Sequence, residues 1–283
     1  MRKYLLIYIA SLLLFGTNGI VASAIPLASS QIVMARTLIG FLLLTVILFA
    51  RGKGVAIGAD RKQRLCILAS GVCTGLSWVT LYEAYRLVGV GVSSLLYYCA
   101  PVIVMALSVP LFGEKLTLRK TVSFLVVLGG ILLVSVQSAT EASSVYGVLL
   151  AAASALCHAG MVVFSKFAPD VGGIESSCAQ LGISCLIACV FALPAGGIGA
   201  FVDMSAFGWA ALVFLGLMNT GLGCALYFSA IPKLPAQTVA TLGYLEPLSA
   251  VVFAALLLGE IMTALQIFGA VLVIGGAFLG EVR

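Results

Sequence analysis

Residues 99–117 read CAPVIVMALSVPLFGEKLT, and residues 245–263, 146 positions further on, read LEPLSAVVFAALLLGEIMT. In that register Pro101 falls on Pro247, Leu111 on Leu257, Gly113 on Gly259, Glu114 on Glu260 and Thr117 on Thr263. The same offset carries Gly129 and Gly130 onto Gly275 and Gly276. Apolar sequence aligns Leu with Leu by chance, but hardly a Pro, a Gly-Glu and a Gly-Gly pair at one offset, so the two stretches read as copies of one unit. Both are apolar almost throughout, and the second sets a glutamate, Glu246, beside its proline.

Working outward, the whole chain shares this character. It is 62% hydrophobic and 9% charged, with a mean hydropathy of +1.21, where a soluble domain carries about 25% charged residues. Ten apolar runs are long enough to cross about 30 Å of hydrocarbon, at roughly 4–22, 28–50, 65–86, 90–111, 120–137, 145–165, 177–195, 207–229, 236–257 and 264–281. Lipid offers no partner to an unpaired backbone group, so each run is expected to be a helix. Five spans per copy is an odd number, which makes the second copy enter the membrane in the opposite sense. The expected fold is an all-α integral membrane protein of ten transmembrane helices in two inverted five-helix repeats, residues 1–140 and 141–283.

Positive charge orients the spans, because short loops rich in Lys and Arg stay cytoplasmic. With the amino terminus inside, that side receives Arg2, Lys3, Arg51, Lys53, Arg61, Lys62, Arg64, Lys115, Arg119, Lys120, Lys166, Lys233 and Arg283; the outer side receives Arg86, and Arg36 lies within a span. Both termini are therefore expected in the cytoplasm, and the net charge of +5 reads as topology and not as affinity for nucleic acid. The start, MRKYLLIYIASLLLFGTNGIVASA, formally resembles a cleaved signal peptide, but its apolar run is long and its removal would break the repeat.

The ten spans in two halves, each with a proline-containing apolar stretch ending in Gly-Glu, resemble the drug/metabolite transporter superfamily, specifically its EamA-like exporters. The paired motifs YYCAPVIVMALSVPLFGE and GYLEPLSAVVFAALLLGE carry most of the resemblance, with FGTNG at residues 15–19 and the arginine of VMARTLIGFLLL agreeing. It implies a bacterial inner-membrane carrier that exports amino acids, related metabolites or drugs through a cavity between the halves, and it names no substrate.

An ionisable group inside a transmembrane helix is costly and usually faces a cavity or a partner. Glu246, near the middle of its span, is the leading candidate for binding a substrate ammonium or taking a coupling proton. The alternative is that it braces backbone groups freed by Pro247. Arg36 is expected about 12 Å below the outer face and Glu246 about 18 Å. Those depths allow an ion pair or a substrate-carboxylate site, against an arginine that merely snorkels outward. Trp78 and Tyr82, four apart on one helix face, together with Tyr97, Tyr98 and Tyr244, could wall a ligand site or simply pack. Asn18, Asn219 and His158 fall mid-span and can bind a ligand or join two helices, and His158 could also serve proton coupling. Glu114 and Glu260 read as helix-end carboxylates. The Gly-Gly pairs allow close helix contact, inside one molecule or between two.

The eight cysteines, none in a CxxC pair, read as packing residues, and a lone histidine argues against a zinc or di-iron centre. No cofactor, metal or catalytic residue is expected. There is no GxxxxGK[ST], HExxH or GxSxG segment, which argues against an ATP-driven pump or a membrane-embedded enzyme in this chain. The expected function is a secondary transporter working by alternating access as a monomer or homodimer among membrane lipids, with a small-molecule substrate and protons as the candidate coupling ion. A uniporter, a channel-like facilitator or a scaffold subunit is the alternative.

Overall fold

The computed structural model describes residues 2–52, 60–135, 144–171, 173–193, 199–258 and 263–281. In chain order the helices are α1 (Arg2–Gly16), α2 (Asn18–Ser23), α3 (Ser29–Ala50), α4 (Arg61–Tyr97), α5 (Ala100–Phe112), α6 (Leu118–Ser135), α7 (Val145–Lys166), α8 (Gly173–Ala192), α9 (Ala206–Phe214), a π-helical turn (Leu215–Leu222), α10 (Gly223–Ala230), α11 (Ala236–Gly243), α12 (Leu245–Leu258) and α13 (Ala264–Glu281). Lys53, Gly259, Glu260, Arg283 and the expected repeat boundary at 140/141 lie outside the described residues.

Among the described residues, seven helical runs are long and apolar enough to cross a membrane: 2–23, 29–50, 61–88, 145–166, 173–192, 206–233 and 236–257. The other three expected spans fall on α5, α6 and α13. The fourth is divided, because α4 runs without a proline through the expected boundary to Tyr97 and the helix breaks only at Tyr98 and Cys99. Tyr98 holds φ −71° and ψ 0°. At the equivalent place in the second copy, Tyr244 holds φ −71° and ψ −7° between α11 and α12. The breaks therefore precede the prolines. Pro101 and Pro247 sit in the first turn of the helix that follows, where a missing N–H removes no helical bond.

Four seams assemble the body. α3 packs on α8, α4 on α7 and α8, α1 on α10 and α12, and α6 on α13. Tyr8 and Leu12 of α1 are each 1% exposed, so the first helix is built into the packed core. Between α4, α7 and α8 the glue is hydroxyl and amide. Ser70 Oγ donates to Gln180 Oε1 at 2.5 Å and lies 2.9 Å from Ser165 Oγ, while Ser77 Oγ donates to the Ser154 carbonyl at 3.0 Å. Small polar side chains of this kind join helices where no hydrophobic driving force separates protein from lipid. The outer surface is correspondingly apolar, with Leu125, Leu186, Leu256 and Phe278 all well exposed.

A further seam, between α5 and α11, involves Glu114. Gly113, at φ 64°, ends α5 in the left-handed conformation that glycine adopts without penalty. That turn carries the next residue across to α11, whose N-cap is Pro235 and brings no capping side chain. The Glu114 carboxylate supplies the cap, accepting from Ala236 N at 2.5 Å and Gln237 N at 3.1 Å. It is thus a helix-end carboxylate, but for a helix 122 residues away in sequence. Glu114→Ala should lower the unfolding midpoint in detergent by roughly 2–6 °C, since a lost cap costs about 0.5–2 kcal/mol. Glu114→Gln, which keeps one acceptor oxygen, should lower it less, and an unchanged midpoint for the alanine variant would remove the cap from the account.

Candidate functional site

Glu246 is the second residue of α12, in its first turn, directly after the Tyr244 break. A helix N-terminus presents unpaired amides and the positive end of the helix dipole, so a carboxylate is electrostatically favoured there. Its main-chain carbonyl accepts from Ser249 Oγ at 2.8 Å. Among the described residues the carboxylate itself makes no hydrogen bond or ion pair. It faces a cavity of about 450 Å³ that Asn18, Arg36, Trp78, Tyr82, Tyr97 and Tyr98 also line. Two smaller cavities of about 40 and 30 Å³ also border Glu246 and Tyr97, and His158 lines both.

Arg36 approaches from α3. It is 3% exposed, so it does not snorkel to an interface. Its Nε donates to Thr220 Oγ1 at 2.9 Å, and the guanidinium lies over the Trp78 ring, 4.7 Å from the centroid, a cation–π contact. Arg36 and Glu246 border the same space without forming a contact ion pair. Two opposite charges are thereby held apart across a cavity within the 300–1,000 Å³ range of small-molecule sites.

Of the ten residues singled out from sequence as candidate ligand contacts, seven line the large cavity: Glu246, Arg36, Trp78, Tyr82, Tyr97, Tyr98 and Asn18. His158 lines the two smaller ones, with Nδ1 2.6 Å from the Tyr97 hydroxyl. Tyr244 lines the smallest, and its hydroxyl donates to the Tyr98 carbonyl at 2.9 Å, tying the two helix breaks together. Asn219 lines none of the three. Fully buried, its Nδ2 lies within donating distance of the Leu14 carbonyl (2.9 Å), Thr17 Oγ1 (2.8 Å) and Asn18 Oδ1 (3.0 Å). It acts on the cavity through Asn18 and the α1–α2 break.

Sequence reading passed over Tyr8, Tyr227, Phe15 and Tyr85. Tyr8 and Tyr227 have rings 5.3 Å apart below the large cavity, and the Tyr8 hydroxyl donates to the Val239 carbonyl at 3.0 Å. Both are hydroxyl-bearing residues inside expected spans, but Tyr8 lies near the start of 4–22 and Tyr227 near the end of 207–229, where Asn219 is central. An aromatic ring hides that polarity in an apolar run.

The model of the EamA-like transporter family matches this sequence twice, at residues 2–136 and 145–280. The chain belongs to the EamA-like transporter family. Family members are transporters and not enzymes, so this is a multi-pass membrane transporter of the bacterial inner membrane. It is 25% identical over 278 residues to the uncharacterized transporter YxxF of Bacillus subtilis, covering 97% of this chain and 88% of that one. It is 27% identical over 226 residues to the threonine/homoserine exporter RhtA of Escherichia coli K12, covering 79% of this chain and 73% of the relative. Its fold superposes on a solved crystal structure with a TM-score of 0.86, across 99% of this chain and 97% of that one, at 18% identity.

Proposed function

We propose that this EamA-like protein is a secondary exporter of small zwitterions, amino acids and their close relatives, driven by alternating access with protons as the coupling ion. The observation that carries the reading is the pair Arg36 and Glu246 facing one cavity of about 450 Å³ unneutralised by each other. A molecule carrying both a carboxylate and an ammonium satisfies both charges at once, whereas a simple amine or a simple acid leaves one of them buried and unpaired, at a cost of several kcal/mol. Trp78, Tyr82 and Tyr98 supply apolar wall with hydroxyls for the remainder of the ligand. A relative named as a threonine/homoserine exporter agrees with that class.

The mechanism rests on two inverted halves, α1–α6 and α7–α13. The packing supports an exchange axis: α6 meets α13 and α3 meets α8, while α4 on α7 mirrors α1 on α10, α5 on α7 mirrors α1 on α12, and α4 on α8 mirrors α3 on the π turn. Tyr98 and Tyr244, equivalent at the 146-residue offset, have nearly the same backbone angles and are hydrogen-bonded across the halves. Glu114 on α11, Lys166 Nζ on the Leu234 carbonyl and the Phe112–Phe167 ring contact close the end that carries Lys115, Lys166 and Lys233. By the distribution of basic residues that end is cytoplasmic, and both termini lie there. The large cavity runs from Glu246 toward Ala22 and Ser23 at the far end of α2, an arrangement that fits a carrier open outward.

Proteoliposomes test the reading. L-threonine and other amino acids should show saturable, pH-gradient-driven accumulation, with their decarboxylated amines and cationic drugs transported poorly. A reporter fused after Arg283 should be active only in its cytoplasmic form. Flux that does not saturate and never accumulates against a gradient would make the protein a facilitator, and equal handling of amino acids and amines would sink the two-charge site.

A further inference from the structure

We infer that Thr220, presented by the π-helical turn Leu215–Leu222, is a positioning residue that aims the Arg36 guanidinium at the carboxylate of the transported molecule. The inference rests on the zwitterion site proposed above and adds the element that sets its specificity.

The geometry of one hydroxyl carries it. Thr220 Oγ1 donates its single proton to the Leu215 carbonyl at 2.9 Å, five residues back. Five α-helical threonines among the described residues bond one turn back instead: Thr37 to Val33, Thr45 to Phe41, Thr74 to Ser70, Thr80 to Leu76 and Thr121 to Thr117, each four residues away. The five-residue reach belongs to the wider π turn, a rare conformation that is frequent at functional sites. With its proton spent on Leu215, the hydroxyl can only accept on its other side, and it accepts from Arg36 Nε. A guanidinium has five N–H donors in one plane. Here Nε is bound by Thr220 and one flat face is covered by Trp78. The donors left for the cavity are those of the two Nη atoms, whose paired edge matches the two oxygens of a carboxylate.

The turn is held close enough for this to work. A Cβ on Gly40 of α3 would lie 3.1 Å from both Gly221 N and Thr220 Cγ2, so α3 and the π turn meet almost backbone to backbone, one helical turn from Arg36. The residue beside Thr220 acts on a second cavity group, since Asn219 holds Asn18. One turn, itself outside the cavity lining, thus fixes two polar groups that face the ligand.

The test uses the full chain in a Trp209→Phe background, which leaves Trp78 as the only tryptophan, so its emission reports the packing of Arg36 without any ligand. Thr220→Val keeps the shape and removes the hydroxyl; Thr220→Ser keeps the hydroxyl. We expect Thr220→Val to shift Trp78 emission and to raise the half-saturating concentration of L-threonine in proteoliposomes about tenfold, the size of one lost hydrogen bond to a charged group. The maximal rate, and any transport of L-threonine methyl ester, should be unchanged, and Thr220→Ser should restore both wild-type readouts. Wild-type emission in Thr220→Val overturns the inference, whether or not L-threonine is transported. So does an emission shift with unaltered L-threonine saturation. Arg36→Gln separates the two layers: if it leaves the preference for L-threonine over its methyl ester untouched, the zwitterion site itself fails, and with it the role assigned to Thr220.

Discussion

Glu246→Gln should insert and fold like the wild type and transport the proposed amino-acid substrate about 10- to 100-fold less well at limiting concentration. The loss corresponds to one charge-assisted hydrogen bond to an ammonium, about 1.5–3 kcal/mol. Folding should not suffer, because neutralising a carboxylate inside the membrane removes an insertion cost of a few kcal/mol. The competing idea, that Glu246 braces the backbone at Pro247, has less to stand on: among the described residues its carboxylate makes no hydrogen bond, and Pro247 sits in a first helical turn that leaves no bond to repair. Since Gln could still accept from backbone amides, bracing predicts wild-type transport. Substrate uptake measured from pH 5 to 8 separates the two, and undiminished transport by Glu246→Gln across that range would end the functional reading. Adding Arg36→Gln sharpens the result. On the proposed reading both charges hold the same ligand, so in the double variant the total loss should fall short of the sum of the two single losses by more than about 0.5 kcal/mol, as for sites with a shared partner.

How much of this was readable from sequence follows from what lipid demands. A span must be an apolar helix of about 20 residues, and a duplication leaves Pro, Gly-Glu and Gly-Gly in one register, so helical class, repeat and the mid-membrane charges were legible. What was not legible depends on azimuth and on local hydrogen bonding. Asn18 and Asn219 look alike as mid-span amides, yet one faces the cavity and the other holds it. Arg36 could have snorkelled, and only the close approach of α3 to the π turn shows why it stays. The prolines are conspicuous in sequence, but the helix breaks are not at them. They lie three residues earlier, at Tyr98 and Tyr244, where nothing in residue type marks them. The π turn left no signature beyond an Asn-Thr pair between glycines.

The Gly-Gly pairs show the same limit and give the sharpest structural prediction. A Cβ on Gly130 would lie 2.7 Å from the Gly269 carbonyl oxygen and 2.9 Å from Val273 N, and one on Gly276 would lie 2.7 Å from Val127 Cγ2 and 3.1 Å from the Ser123 carbonyl oxygen. Ser123 Oγ also donates to the Gly276 carbonyl at 2.6 Å. These second glycines are the seam between α6 and α13. Their neighbours, Gly129 and Gly275, have nothing within 4 Å of a Cβ and face outward. Gly130→Leu and Gly276→Leu must therefore push the two helices apart, costing upward of about 1–3 kcal/mol and more where backbone atoms block relaxation. Both variants should express poorly and elute from size exclusion as aggregate. Gly129→Leu and Gly275→Leu should behave as the wild type, since they add one methylated side chain to a surface that already bears Leu125, Leu132 and Phe278. Gly130 should be the more sensitive of the seam pair, because main-chain atoms crowd it and cannot rotate away as Val127 can. If the outward substitutions also disrupt the protein, the exposed glycines are covered by another molecule, and a shift from dimer to monomer in Gly129→Leu would identify that molecule as a second copy of this chain.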